Sequence, residues 1–325
     1  MRVPWMRLYS IAPSRNKVGR IAIITDDPGW HGKRLRESLE RGGYEAHFLS
    51  LTTCGLELFG SKVPVTLPGF ENHLPDGVFV RGVPGGSLEQ ITLYLGVLHA
   101  LKYLGLTVYN DGQAIERTVD KGMTSFLLAR AQIPTPPTWV LTDRNHALAL
   151  AKEEINQGYS IVSKPLFGSQ GQGLRRYDTL SSLENFSDDQ GVFYLQRFIH
   201  SGRQSHDFRV FVIRGKSVAA MRRSGVTWLN NVHQGASCEP VRLDDRLLCR
   251  LAEDAVKTLD MDYAGVDIIR DEHGRYSVLE VNSIPAWKGL QGVTDLSIAD
   301  ALVGDFLNKL IASGHSDTRA ISTPS

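Results

Sequence analysis

Cysteine is scarce in this chain: Cys54, Cys238 and Cys249 are the only three, and no two stand at CxxC spacing. An odd, scattered set supplies neither a disulfide framework nor a thiolate metal site, and it fits a reducing cytoplasm. Net charge is nearly absent as well, with 36 Lys and Arg against 35 Asp and Glu for a balance of +1. No global field draws such a chain to nucleic acid or to an anionic membrane, so any anion it binds is held locally. No apolar run approaches the roughly 18 residues that would cross a bilayer. The first twenty residues have basic side chains without the apolar stretch of a signal peptide. Internal repeats and low-complexity tracts are also missing. The expectation is a soluble, untargeted protein.

What the chain does have is 42% hydrophobic residues over 325 positions, enough to bury the cores of two or three modules. The apolar run Ile21-Ala-Ile-Ile ends at Asp26-Asp-Pro-Gly, the pattern of a buried parallel strand and a turn. A helix is predicted over 30–41, stopping at Gly42-Gly43, and a strand over 44–49. Strands over 76–81 and 106–110, with a helix over 88–104 between them, continue the alternation. Residues 18–115 therefore read as an open α/β module that follows an extension of residues 1–17.

Pro-Thr-Pro-Pro at 134–137 breaks regular structure, and the order then changes. The pattern predicts strand 138–141, helix 143–157, strand 159–166, a Gly-rich loop, strand 173–178, helix 179–186 and strand 192–199. Strands over 207–213 and 216–222 turn at Arg214-Gly215; helix 243–258, strands 262–270 and 275–282, and helix 296–312 follow. This second part is α+β and rich in antiparallel pairs, and residues 314–325 read as a flexible tail.

Several stretches carry residue types suited to chemistry. A β-branched strand delivers Lys164 and runs into a loop with Gly168, Gly171 and Gly173. Glycines let backbone N–H groups close on phosphates without a Cβ clash, and a strand-borne lysine adds a fixed positive charge. A plain turn is the competing reading. Gly215-Lys216-Ser217 is no P-loop, because Val210 stands where the first glycine belongs, and Lys216 reads as a hairpin residue. Further on, Tyr263 to Asn282 predicts two strands with Asp267 on the first and Glu280 and Asn282 on the second. Alternation puts Glu280 and Asn282 on one face, and pairing can bring Asp267 beside them. Two acids and an amide make an all-oxygen set suited to Mg²⁺, although each alone could be a surface acid or half of a cross-strand salt bridge. Arg223 offers a planar fork of donors for an acyl phosphate or oxyanion, and Asn231 can bond the same oxygens. Arg81, at a strand end before Pro84-Gly-Gly, sits where open α/β sheets place ligands and could hold a substrate carboxylate. His31, His99, His200 and His206 show no metal spacing.

Asp120-Lys121, Lys164-Pro-Leu-Phe-Gly-Ser-Gln-Gly, Leu195-Gln-Arg-Phe-Ile, Asp207-Phe-Arg, Ala264-Gly-Val-Asp and Leu279-Glu-Val-Asn-Ser-Ile-Pro follow one another in the order found in ATP-grasp enzymes. Over residues 18–312 the chain most resembles the ribosomal-protein glutamate ligases and the relatives that add α-linked glutamate to coenzymes or carrier proteins. The resemblance implies an ATP-grasp fold in which a central module (116–200) and a C-terminal module (201–313) clamp ATP. Lys121 and Lys164 would then contact phosphates under a loop of Gly168, Ser169, Gln170, Gly171, Gln172 and Gly173. Gln196, Arg197, Phe198 and Ile199 fall in the hinge strand whose backbone reads adenine, and Asp207 lies near the nucleotide. Asp267, Glu280 and Asn282 match ligands for two magnesium ions, with manganese as a substitute. Arg223 and Asn231 match catalytic positions, while Asn230, His233, Gln234 and Ser283 fall among substrate contacts. The chain departs from many relatives at Gln234 and Ala236, where they have Arg and Gly, and at Arg197, where the ribosomal-protein ligases have an acid.

The implied reaction activates a carboxylate as an acyl phosphate and joins it to an amine, with L-glutamate as the amine. The acceptor could be a protein tail, a carrier protein or a small coenzyme such as a pterin or furan cofactor. Arg81-Gly-Val-Pro-Gly-Gly most resembles the coenzyme-modifying relatives, and that resemblance favours the coenzyme. An ATP-grasp kinase, or a peptide ligase with another amine, is the enzymatic rival. A nucleotide sensor without turnover is the other, disfavoured by the complete Asp267, Glu280 and Asn282 set. A homo-oligomer is expected by analogy only.

Overall fold

A computed structural model describes residues 18–59, 64–168, 173–188, 190–202, 205–225, 228 and 236–314. The chain forms two compact units, one from the residues up to Gly112 together with the C-terminal segment from Ser297, the other from Gln113–Leu296. No helix among the described residues is long and apolar enough to cross a membrane.

The first unit is built on β1 (Gly19–Ile24), β2 (Tyr44–Leu49), β5 (Gly77–Val80) and β6 (Thr107–Tyr109), parallel and in the order β2-β1-β5-β6. Ile21 to Ile24 and Val78 to Val80 are wholly buried, as a parallel sheet covered on both faces requires. The connections are α1 (Gly29–Arg41) and α2 (Leu88–Tyr103). Ser87 and Gln90 close a capping box at the start of α2. A hairpin of β3 (Gly55–Leu56) and β4 (Val65–Thr66) was not predicted, since two residues per strand show no periodicity.

The second unit begins with α3 (Gly112–Val119) and α4 (Lys121–Arg130), and the Asp120 carboxylate caps α4 by accepting from the amides of Gly122 and Met123. A first antiparallel sheet has the order β7-β10-β8-β9, from β7 (Thr138–Leu141), β8 (Ile161–Lys164), β9 (Arg175–Tyr177) and β10 (Phe193–Arg197). It is backed by α5 (Arg144–Asn156), and a 3-10 turn at Ser181–Asn185 replaces the helix predicted over 179–186. A second antiparallel sheet has the order β13-β12-β11-β14-β15, from β11 (His206–Ile213), β12 (Lys216–Ser224), β13 (Ser237–Val241), β14 (Tyr263–Arg270) and β15 (Tyr276–Asn282). Pro240 hides β13 from a pattern reading and is tolerated because β13 is an edge strand. Helix α6 (Arg246–Thr258) covers one face of this sheet, and α7 (Lys288–Gln291) follows β15.

The last helix, α8 (Ile298–Gly314), departs from the expected C-terminal module of 201–313 and belongs to the first unit. The reason is packing. Phe306 is fully buried against Phe79 and Tyr109, with ring centroids 5.7 and 5.6 Å away, and the Tyr109 hydroxyl donates to Asp305 at 2.9 Å. Ser38 on α1 donates to Asp300 at 2.6 Å. The buried face of α8 thus has its apolar and polar complements on α1, β5 and β6. Phe306→Ala should lower stability by about 3–5 kcal/mol in urea unfolding, with the loss confined to the transition of the first unit.

Candidate active site

Strand alternation decides which side chains of the β7-β10-β8-β9 sheet can meet a ligand. Ile161, Tyr177, Phe193 and Leu195 point to α5 and bury with Ala147 and Ala151. The opposite face carries Thr138, Lys164, Tyr194 and Gln196, and Tyr194 stands directly across from Lys164. Lys164 Nζ donates to Gln196 Oε1 at 2.7 Å. Burial, together with Lys121 nearby, pushes the Lys164 ammonium down to about 8, against the opposing pull of Glu280 and Asp267. Those two acids belong to the other sheet, so the polar faces of both sheets act on the same lysine. Lys121, at the first turn of α4, donates to the carbonyl oxygens of Leu166 (3.3 Å) and Gly168 (2.7 Å), at the start of the Gly-rich segment. Gly168 and Gly173 have φ of +135° and +72°, and a Cβ at Gly173 would stand 2.7 Å from Pro165.

The five-stranded sheet is divided in the same way. Val210, Val212, Ala220, Val266, Ile268, Val278 and Val281 pack on Leu248, Ala252, Ala255 and Val256 of α6. The other face carries Asp207, Arg209, Arg223, Cys238, Asp267, Glu280 and Asn282, placed by the pairs Asp207↔Arg223, Arg223↔Cys238, Arg209↔Asp267, Asp267↔Glu280 and Gly265↔Asn282. A bulge beside Asp267 lets both Val278 and Val281 face the core while Glu280 stays on the polar side. Gly265 is required here because a Cβ would come within 2.8 Å of Pro285, where the chain folds back after β15.

Four of these residues form one buried cluster. Arg209 grips Asp267 with two bonds of 2.7 Å, Arg223 adds a contact of 3.0 Å to the same carboxylate, and Arg223 Nε donates to Asp207 at 2.6 Å. Arg223, Asp207 and Asp267 are only 6–7% exposed. Burial would raise the Asp267 carboxyl, but Arg209 and Arg223 outweigh it and hold the group well below the usual carboxylate range. Burial pushes Asp207 up and the adjacent Asp267 adds to this, with Arg223 opposing both. Asp267 and Asp207 in turn hold the Arg223 guanidinium firmly charged against its own desolvation.

The expected metal set is therefore adjacent: Asp267 and Glu280 are cross-strand neighbours, with Asn282 two residues on along the same face. Among the described residues no group of three or more His, Cys, Asp or Glu could hold a metal, so a cation here relies on the Asn282 amide oxygen beside the two carboxylates. The fit is sound. All three donors are hard oxygens, and Asp267, with three guanidinium contacts, keeps one of its roughly four lone-pair sites for a cation. Asn282 Nδ2 is buried without a hydrogen-bond partner, an unmet donor that an anionic oxygen would satisfy.

Other expected positions fall differently. Arg197 points to the opposite face from Lys164, bound to Glu154 at 2.7 and 2.9 Å and stacked over Tyr159 at 3.6 Å. Its amide donates to Pro137 and that of Phe198 to Ser160, so neither amide is free to read an adenine edge. The Phe198 ring lies under Arg176 at 3.9 Å, and Ile199 follows it out of β10. Gln196 is 3% exposed and its amide is spent within the protein. Ser283 is buried and accepts from Thr118 at 2.7 Å, which makes it a tie to α3. Arg81 lies in the first unit at the end of β5, its amide bonded to Ile24 of β1, where the strand order reverses. Ser169, Gln170, Gly171, Gln172, Asn230, Asn231, His233 and Gln234 lie outside the described residues. Sequence reasoning missed Arg209, Tyr194, Thr138 and Ser125; for Arg209 the signal was its position two residues after Asp207 in a strand.

Residues 118–305 match the RimK-like ATP-grasp domain. The tetrahydromethanopterin:alpha-L-glutamate ligase of Methanocaldococcus jannaschii is 38% identical over 297 residues, 87% of this chain and 97% of that protein. The enzyme of the same name from Methanococcus maripaludis is 36% identical over 300 residues, 89% and 98% of the two chains. Among solved structures, the ATP-grasp ligase PsnB with minimal precursor, Mg and ADP superposes with a TM-score of 0.66 at 20% identity, covering 91% of this chain and 98% of its own. The chain belongs to the RimK-like ATP-grasp family. It is an ATP-dependent ligase that forms carbon–nitrogen bonds.

Arg209→Met would leave Asp267 with one guanidinium in a buried setting and should cost about 3–5 kcal/mol in urea unfolding. Arg242→Ala, which breaks an exposed 2.9 Å pair with Asp244, should cost no more than about 1 kcal/mol in the same assay.

Proposed function

We propose that this ligase adds L-glutamate to a carboxylate of a small coenzyme, with ATP gripped between the two sheets of the second unit. The observation that supports the reading is that Lys164 feels the charges of Lys121 beside it and of Glu280 and Asp267 on the other sheet, where Asn282 shares their face. The coenzyme acceptor is supported by the two archaeal relatives, whose names specify tetrahydromethanopterin, and by the coverage of nearly their whole length. PsnB, bound to a precursor peptide, favours a second reading with a peptide acceptor, but its 20% identity carries the fold alone.

In this reading Lys164 and Lys121 face the phosphates, and Lys121 exchanges its bonds to the Leu166 and Gly168 carbonyls for phosphate oxygens. Asp267, Glu280 and the Asn282 oxygen hold magnesium, two ions in the full complement with manganese as a substitute. Magnesium bound there supplies neutralisation of the charge that builds on the transferring phosphoryl group. The acceptor carboxylate takes the γ-phosphoryl group to give an acyl phosphate and ADP. The glutamate amine then adds at the acyl carbon, loses its proton, and phosphate leaves. Arg223, kept charged and fixed by Asp207 and Asp267, presents donors to the developing oxyanion. Adenine meets Ile199 and the carbonyls of the hinge segment. Arg81, at the switch point of the first unit, offers a guanidinium to a substrate carboxylate.

The direct test is mass spectrometry of small molecules after incubation with Mg-ATP, glutamate and a cofactor extract. Products heavier by one glutamyl unit, lost with Glu280→Ala, are expected; ADP without any amide product would replace the ligase reading by a kinase. A pH series gives a second test. The free Lys164 ammonium titrates at about 8, so kcat/KM for ATP should be level at lower pH, reach half its plateau near 8 and fall beyond. Because Lys164 titrates below its ordinary value, its charge burdens the folded state at neutral pH and the burden lifts as pH rises above about 8. Lys164→Met should accordingly raise the unfolding midpoint at pH 7 while abolishing turnover.

A further inference from the structure

Gln196 lies beneath Lys164 with every polar atom of its amide engaged, and the direction of each bond follows from its neighbours. The Thr138 hydroxyl gives its proton to the Pro136 carbonyl at 2.8 Å, so toward Gln196 it is an acceptor. Gln196 Nε2 donates to it at 2.9 Å and reaches the Tyr194 hydroxyl at 3.4 Å. With its nitrogen pinned to that side, the amide presents Oε1 to Lys164 Nζ at 2.7 Å. The chain continues on the other side. The Ser125 hydroxyl donates to the Lys121 carbonyl at 2.8 Å, which leaves its oxygen to accept from the Tyr194 hydroxyl at 2.8 Å. One directed network thus runs from β7 through β10 to α4, with Lys164 Nζ on one branch and the Lys121 backbone carbonyl at its end.

The choice of a neutral partner matters. A carboxylate at position 196 would fix the ammonium equally well but would cancel its charge toward an incoming anion. An apolar side chain would leave a desolvated ammonium without a fixed acceptor. The amide holds one of the three ammonium protons and leaves two for phosphate oxygens. We propose that Gln196 is a positioning residue, which touches no nucleotide itself and aims the Lys164 ammonium at the phosphates through an amide whose orientation Thr138 sets. This rests on the reading that Lys164 faces the phosphates.

A double-mutant cycle on the full chain tests it, with binding of Mg-ATP measured calorimetrically in the absence of acceptor. Lys164→Met should weaken binding by about 10–100-fold, the worth of a hydrogen bond to a charged group. Gln196→Leu should weaken binding by no more than that same factor of about 10–100, through Lys164 alone, so that in the Lys164→Met background it has no further effect. Thr138→Val, a milder change on a half-exposed strand, should show the same pattern with a smaller loss, and it stands in if Gln196→Leu does not fold. A Gln196→Leu or Thr138→Val effect that adds in full to that of Lys164→Met would overturn the positioning role while leaving Lys164 on the phosphates. Unchanged binding in Lys164→Met would overturn both.

Discussion

A carboxylate held between two guanidiniums in the interior of the second unit constrains everything around it. Asp267, Arg209, Arg223 and Asp207 come from three neighbouring strands, and their charges balance only as a set. Removing one leaves another buried and uncompensated, which costs far more than the cluster contributes relative to an apolar core. A slip of one residue in any of β11, β12 or β14 would turn a charge toward α6 and an apolar residue toward the site. The cluster therefore pins register, and that register puts Glu280 opposite Asp267 and Asn282 opposite Gly265.

The same sheet does two jobs because its faces are chemically distinct. One buries valine, isoleucine and alanine against α6 and supplies cohesion. The other is a lattice of buried charge whose members are oriented before any ligand arrives. Such preorganisation suits phosphoryl transfer, where there is little covalent work for the protein and positioned charge supplies most of the effect.

Lys164 shows the opposite treatment of a buried charge. Arg223 is satisfied by acids and stays charged at any ordinary pH, whereas Lys164 has a neutral amide as its hydrogen-bond partner and feels the acids only from a distance. It is the less stable arrangement and the more useful one, since a cation that is not already neutralised gains most when a phosphate approaches.

Much of this was legible in the residues. Strand alternation in β14 and β15 placed Asp267, Glu280 and Asn282 together, and the β-branched approach to Lys164 marked its strand, because a period of two survives in any single segment. The direction of the Arg197 side chain was not legible although it adjoins Gln196, since only the pairing of β10 with β8 shows that odd positions of β10 face α5. Arg209 stands within Asp207-Phe-Arg but was given no role, because its partner Asp267 lies 58 residues away. Helix α8 follows the second unit in the chain yet packs on the first, where Phe79 and Tyr109 complete its apolar stripe. The sequence by itself determined which residue types recur at which local spacing, and hence the strands, the phosphate-binding chemistry and the family. Only the tertiary structure decided which charges neutralise one another, which amide aims a lysine and which unit owns the last helix, because those depend on contacts between segments that no local period encodes.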